Sequence, residues 1–66
     1  MTQRIPIVEY YQDHAGEWRW RFVSNGRIMA DSAEGYVKKS NARRAWVNFA
    51  GYISAGEYKE VTVEQT

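Results

Sequence analysis

Arg19 and Arg21 stand two residues apart in the stretch GEWRWRFVSNGRIMA, which runs from Gly16 to Ala30. On an extended chain that spacing puts both guanidinium groups on one face, where they could contact phosphates. A second basic group, Lys38, Lys39, Arg43 and Arg44, surrounds the expected start of a helix. A helix N-terminus favours anions, so these four could build a phosphate site there. Anion or nucleic-acid binding is therefore the chemistry these six residues offer. Two features weigh against it. Trp18 and Trp20 project from the face opposite the arginines, so they are badly placed to stack on a base beside them. The chain also has no glycine-rich phosphate loop. The plainer expectation makes Arg19 and Arg21 solvated, paired with Glu9, Glu17 or Glu60, or covered by a partner chain. It makes the four helix-start residues a solvated helix face.

Catalytic residue types are scarce. Ser24, Ser32, Ser40 and Ser54 lack a nucleophile-elbow context, and His14, the single histidine, falls in a turn. Asp31 and Glu34 could pair as carboxylates, but acids in a loop ordinarily serve solubility. A catalytic site needs several groups converging in a water-poor pocket. A chain of 66 residues has hardly the interior for one, so we expect no enzyme. With no cysteine there is no thiolate metal site and no disulfide, and we expect no cofactor and no metal. Trp46 could stack on a ligand, but an aromatic at helical spacing is more economically a core residue.

The elements that would position these residues follow from periodicity. Ile5 to Gln12 is rich in β-branched and aromatic residues, with Pro6 marking the strand start or an edge. Asp13 to Gly16 reads as a turn. From Glu17 to Ser24, Trp18, Trp20 and Phe22 alternate with Glu17, Arg19 and Arg21, the period of a strand. Asn25-Gly26 is the favoured pair for a two-residue hairpin turn. It predicts a third strand over 27–31, with Ser24 opposite Arg27, Val23 opposite Ile28 and Phe22 opposite Met29. Val23, Ile28 and Ala30 would then add apolar surface to the arginine face. Ser40 is the expected N-cap of a helix over 41–53, whose stripe is Ala42, Ala45, Trp46, Phe49 and Ile53. A last strand over 58–64 alternates Val61 and Val63 with Glu60, Thr62 and Glu64. The expectation is one α+β domain over 1–66, β-β-β-α-β, with the helix packed on the tryptophan face of an antiparallel sheet.

Size makes one further demand. A chain this short gains little from a single core unless something staples it. Disulfides and thiolate metal sites are excluded, and His14 cannot build a zinc site without carboxylate help, which leaves a partner chain as the expected staple. Exposed sheet edges also invite pairing. A homodimer sharing one sheet answers both needs. The formal charge of +1 gives no dominant field toward nucleic acid. The opening MTQRIPIVEY lacks the apolar core of a signal peptide, and no run approaches membrane-spanning length. The expectation is a cytoplasmic protein without a membrane partner.

The chain also resembles the YegP-like family, a domain of unknown function. The residues carrying the likeness are Tyr11, Asp13, Gly16 to Phe22, Asn25, Gly26, Ile28, Gly35 and Tyr36, within a span from Val8 to Phe49. The resemblance implies β-β-β-α-β units, either in tandem or as single repeats that pair into one sheet with exchanged C-terminal strands. This chain holds one repeat, so the likeness implies the homodimeric form. It implies no activity. The sequence departs from the family pattern at Arg44, Ala45 and Trp46, where relatives carry Asn-Gly-Ile. The expected function is a non-enzymatic homodimeric interaction or structural module, with a further protein partner unidentified and nucleic-acid or anion binding as the second reading.

Overall fold

The computed structural model describes residues 5–63. Its elements are β1 (Ile7–Gln12), β2 (Trp18–Ser24), β3 (Arg27–Asp31), α1 (Lys39–Ile53) and β4 (Lys59–Thr62). The four strands form one sheet in the order β3-β2-β1-β4. β2 runs antiparallel to both β1 and β3, whereas β4 runs parallel to β1. The sheet is therefore mixed, and the expected all-antiparallel sheet is corrected. The reason is directional. Two hairpins leave β3 running the same way as β1, and α1 carries the chain back to the starting end, so β4 must repeat that direction.

Alternation along β1 and β2 sorts their side chains between two faces. Val8, Tyr10, Trp20 and Phe22 turn toward α1 and are buried with Ala42, Trp46 and Ala50. Trp46 is wholly buried at the centre. Its ring lies 5.1 Å from Trp20, 4.8 Å from Phe22, 6.2 Å from Phe49 and 5.1 Å from Tyr58. This aromatic cluster supplies the apolar area that so short a chain needs. Of the expected stripe, Ala42 and Trp46 are buried, and Ala45 and Phe49 are half-buried. Ile53 is 43% exposed, and Ala50 takes the third buried position instead. Ile53 is the last residue of α1.

The hairpin turn holds Asn25 at φ 53° and Gly26 at φ 78°, the two positive values a type I′ turn requires. Ser24 faces Arg27 and Val23 faces Ile28, but Phe22 then faces Ala30. Met29 is the extra residue of a β-bulge and is 62% exposed. The expected Phe22–Met29 pair is thus replaced, and Ala30 moves from the arginine face to the core side, where it packs. The extra residue shifts the parity of β3, so that Ala30 rather than Met29 falls on the core side.

Past β3 the chain keeps to the side of β2. The Ser32 N–H donates to the Trp20 carbonyl, and Trp18 and Tyr36 exchange two backbone bonds of 2.6 and 2.8 Å. Gly35 is required for that approach, because a Cβ there would stand 2.8 Å from the Glu17 Cβ. α1 begins at Lys39, with Lys38 as the extended N-cap and no side-chain capping bond. The expected cap, Ser40, lies inside the first turn. The Lys38 carbonyl accepts from Asn41 and Ala42, so backbone alone opens the helix. The helix ends at Ser54 in the left-handed conformation, and residues 54–58 lead to β4. The expected end of the last strand, Glu64, lies outside the described residues. Among the described residues, no helix is long and apolar enough to cross a membrane.

Candidate functional site

The six basic residues divide between opposite sides of the sheet. Arg19 and Arg21 stand on the open face, away from α1, as the alternation requires. Each is held by a carboxylate. Arg19 Nε donates to Asp13 Oδ2 at 2.7 Å, and its Nη1 reaches the Ser32 and Ala33 carbonyls at 3.5 and 3.4 Å. Arg21 Nε donates to Glu9 Oε1 directly across the β1–β2 ladder, and its guanidinium lies 4.5 Å from the Tyr11 ring centre. The pairing of Arg21 with Glu9 was among the expected partners. Asp13 was not, and Glu17 and Glu60 are elsewhere. Asp13 closes the turn, accepting from the Ala15 and Glu17 N–H groups through Oδ1. Arg19, with help from the Glu17 N–H, holds the Asp13 carboxyl below the usual carboxylate range. The turn acid and the strand arginine are thus one fixed unit.

The helix-start group is on the other side. Arg43 makes a two-pronged contact with Glu60 of β4, at 2.8 and 3.3 Å. The Tyr10 hydroxyl donates to the same Glu60 oxygen at 2.7 Å. Arg43 first, and Tyr10 second, keep the Glu60 carboxyl below its ordinary range. Burial and the anionic neighbour push the Tyr10 phenol well above its ordinary value. The Lys39 ammonium lies 5.7 Å from the Tyr10 ring centre and 6.0 Å from that of Trp18. Lys38 and Arg44 are exposed. No single surface unites the six, and four of them already face a carboxylate or an aromatic ring.

What the arrangement does chemically is tie elements together. The Tyr10–Glu60–Arg43 cluster joins β1, β4 and α1, and it is the feature the sequence reading missed. Its signal was present in register: Tyr10 shares parity with the buried Val8, so its hydroxyl had to find a partner at the rim of the core. Glu60 becomes that partner only once β4 is known to lie parallel beside β1, with Val8 opposite Glu60 and Tyr10 opposite Thr62. Val61, in turn, falls next to Glu9 on the open face and is 41% exposed.

Among the described residues, two surface hollows bring no catalytic constellation together. One is lined by Asn48, Gly51 and Tyr52 on α1, the other by Tyr11, Gln12, Asp13 and His14 at the turn. In the second, Asp13 is committed to Arg19. Among the described residues no three acids or histidines gather as a metal site would require.

Residues 13–45, half of the chain, match the family described as "Domain of unknown function (DUF1508)". A UPF0339 protein of Agrobacterium fabrum is 55% identical over 38 residues, which cover 56% of this chain. The matched stretch spans 60% of that relative's length. No solved structure matches the chain. The family match begins at the Asp13 turn and takes in β2, the bulged hairpin, Gly35 and the start of α1, the parts on which the YegP-like resemblance rested. The chain belongs to the DUF1508 (UPF0339) family, the YegP-like one, whose function is unknown.

Proposed function

We propose that the chain is a non-enzymatic homodimeric interaction or structural module, in which two protomers complete one sheet by exchanging β4. The observation that carries this reading is the standing of β4. All four of its residues are exposed, it has one strand neighbour, and it hangs from the helix by the short connector 54–58. Its bonds to β1 and its Glu60 clasp could be made equally well by the β4 of a second chain. Exposed strand edges are the surfaces through which sheets recruit another chain.

The test uses the register and the absence of cysteine. Ile7 lies opposite Lys59, and neither is buried. The double variant Ile7→Cys/Lys59→Cys, oxidised at low micromolar concentration, should give a covalent dimer on a non-reducing gel. Light scattering on the wild type should show twice the chain mass. A disulfide formed only within one chain would refute the exchange. A monomer at every concentration would refute the dimer.

Nucleic-acid or anion binding remains the second reading, and only Lys38 and Arg44 of the six candidates support it without a described carboxylate or ring contact. Phosphate-driven binding weakens steeply with salt. A fluorescence titration with mixed single-stranded DNA and RNA at low and physiological salt should therefore leave the tryptophan signal unchanged. A saturable, salt-sensitive change abolished by Lys38→Glu/Arg44→Glu would reverse the ranking.

A further inference from the structure

We infer that the connector after α1 is a strained hinge, and that Ser54 sets the balance between β4 folded back on its own chain and β4 given to a second copy. The inference rests on the strand-exchange reading above and concerns its control. Two residues of the connector are left-handed: Ser54 at φ 51°, ψ 54°, and Gly56 at φ 72°. Only one other non-glycine residue described here has a positive φ, and it is Asn25, a residue type that tolerates the region. Serine lacks that tolerance, and glycine is the usual occupant of this position after a helix. Ser54 is nevertheless held there, its N–H directed at the Gly51 carbonyl at 3.4 Å and the following Ala55 N–H at the Ala50 carbonyl at 3.0 Å.

These bonds fold the chain back sharply enough for Tyr58 to reach the edge of Trp46 and for the Lys59 N–H to reach the Pro6 carbonyl of the same chain. A β4 crossing to a second copy needs no such reversal. Its connector can extend, and Ser54 and Gly56 can then take conformations open to any residue. The bonds of β4 to β1 are the same in both arrangements, so they cancel. The difference that remains is the backbone at 54 and 56. Left-handed backbone costs a non-glycine residue roughly enough to change an equilibrium five-fold, and two hinges open per dimer, giving on the order of 25-fold. The serine thus favours exchange, and glycine at the same position would favour the closed chain.

Three variants test this by sedimentation equilibrium, each read as the dimer Kd beside the wild type. Ser54→Gly should raise the Kd on the order of 25-fold. Ser54→Thr, whose branched Cβ disfavours the left-handed region further, should lower it. Gly56→Ala should also lower it, and there the effect is the backbone's alone, because an added Cβ meets nothing within 4 Å. The Ile7→Cys/Lys59→Cys crosslink identifies which chain supplies β4. If the crosslink shows exchange yet all three variants leave the Kd at the wild-type value, the hinge inference is overturned while the exchange reading stands. If the Ile7→Cys/Lys59→Cys variant forms only the disulfide within one chain, both fall together.

Discussion

β2 and β4 are strands of the same sheet, but they are held in different ways. β2 has β1 on one side and β3, Ser32 and Tyr36 on the other, and it sends Trp20 and Phe22 into the core. β4 has β1 alone, exposes all four residues, and depends on Glu60 at one point and on Tyr58 just before it. The stability of β2 comes from burial, which is large and non-directional. The hold on β4 comes from a few directional bonds near water, each modest in net terms. One strand defines the fold, and the other is attached to it.

The comparison breaks most completely at Trp46. Trp46→Ala removes the ring that touches Trp20, Phe22, Phe49 and Tyr58, and should cost about 3–5 kcal/mol. For a domain this small the thermal transition followed by circular dichroism should vanish or fall far below that of the wild type. Gly35→Ala comes next. Its Cβ would stand 2.8 Å from the Glu17 Cβ, forcing the Trp18–Tyr36 bridge apart at about 1–3 kcal/mol. Adding Glu17→Gly should recover much of that loss in urea unfolding. A double variant no more stable than Gly35→Ala would show that the glycine acts otherwise.

Smaller effects belong to β4. Tyr10→Phe removes the donor to Glu60 and should cost about 1 kcal/mol. The pH dependence has a definite sign. The Glu60 carboxyl is depressed in the folded chain, so its stabilisation is full above the ordinary glutamate value of 4.5 and is lost as pH falls below it. Glu60→Gln should flatten that part of a urea-midpoint profile, leaving the decline due to Asp13, which is depressed in the same direction. An unchanged profile would mean that the clasp opens in solution. Val61→Thr, on the exposed side of β4, should move stability by no more than about 0.5 kcal/mol.

What the sequence made legible follows the same division. The alternation of Trp18, Trp20 and Phe22 with the arginines, the Asn25-Gly26 turn and the place of Trp46 in the core are local signals, each set by residues within one element. The bulge was not legible, because the Asn25-Gly26 turn sets the register only as far as Val23 and Ile28, and the slip comes one pair further on. The helix start was misplaced for a related reason: Ser40 has a capping side chain, but the Lys38 carbonyl already serves the first turn. Glu9 is one of three acids the sequence offers to Arg19 and Arg21, and the β1–β2 register singles it out for Arg21. Arg19 found Asp13 through the shape of a turn, and Arg43 found Glu60 only through the parallel placement of β4, which no short stretch encodes.

The bulge at Met29 bears on how far assembly can go. The sheet has two borders, and they are unequal. At β3 the extra residue breaks the regular spacing that an incoming strand would have to match, which is a known guard against indefinite stacking. At β4 the border is regular. A sheet receptive on one side only reaches its limit when two copies have met through that side, because each then presents a blunted border outward. The same irregularity that turns Ala30 to the core side would therefore close the assembly at a pair, where two receptive borders would have allowed a filament.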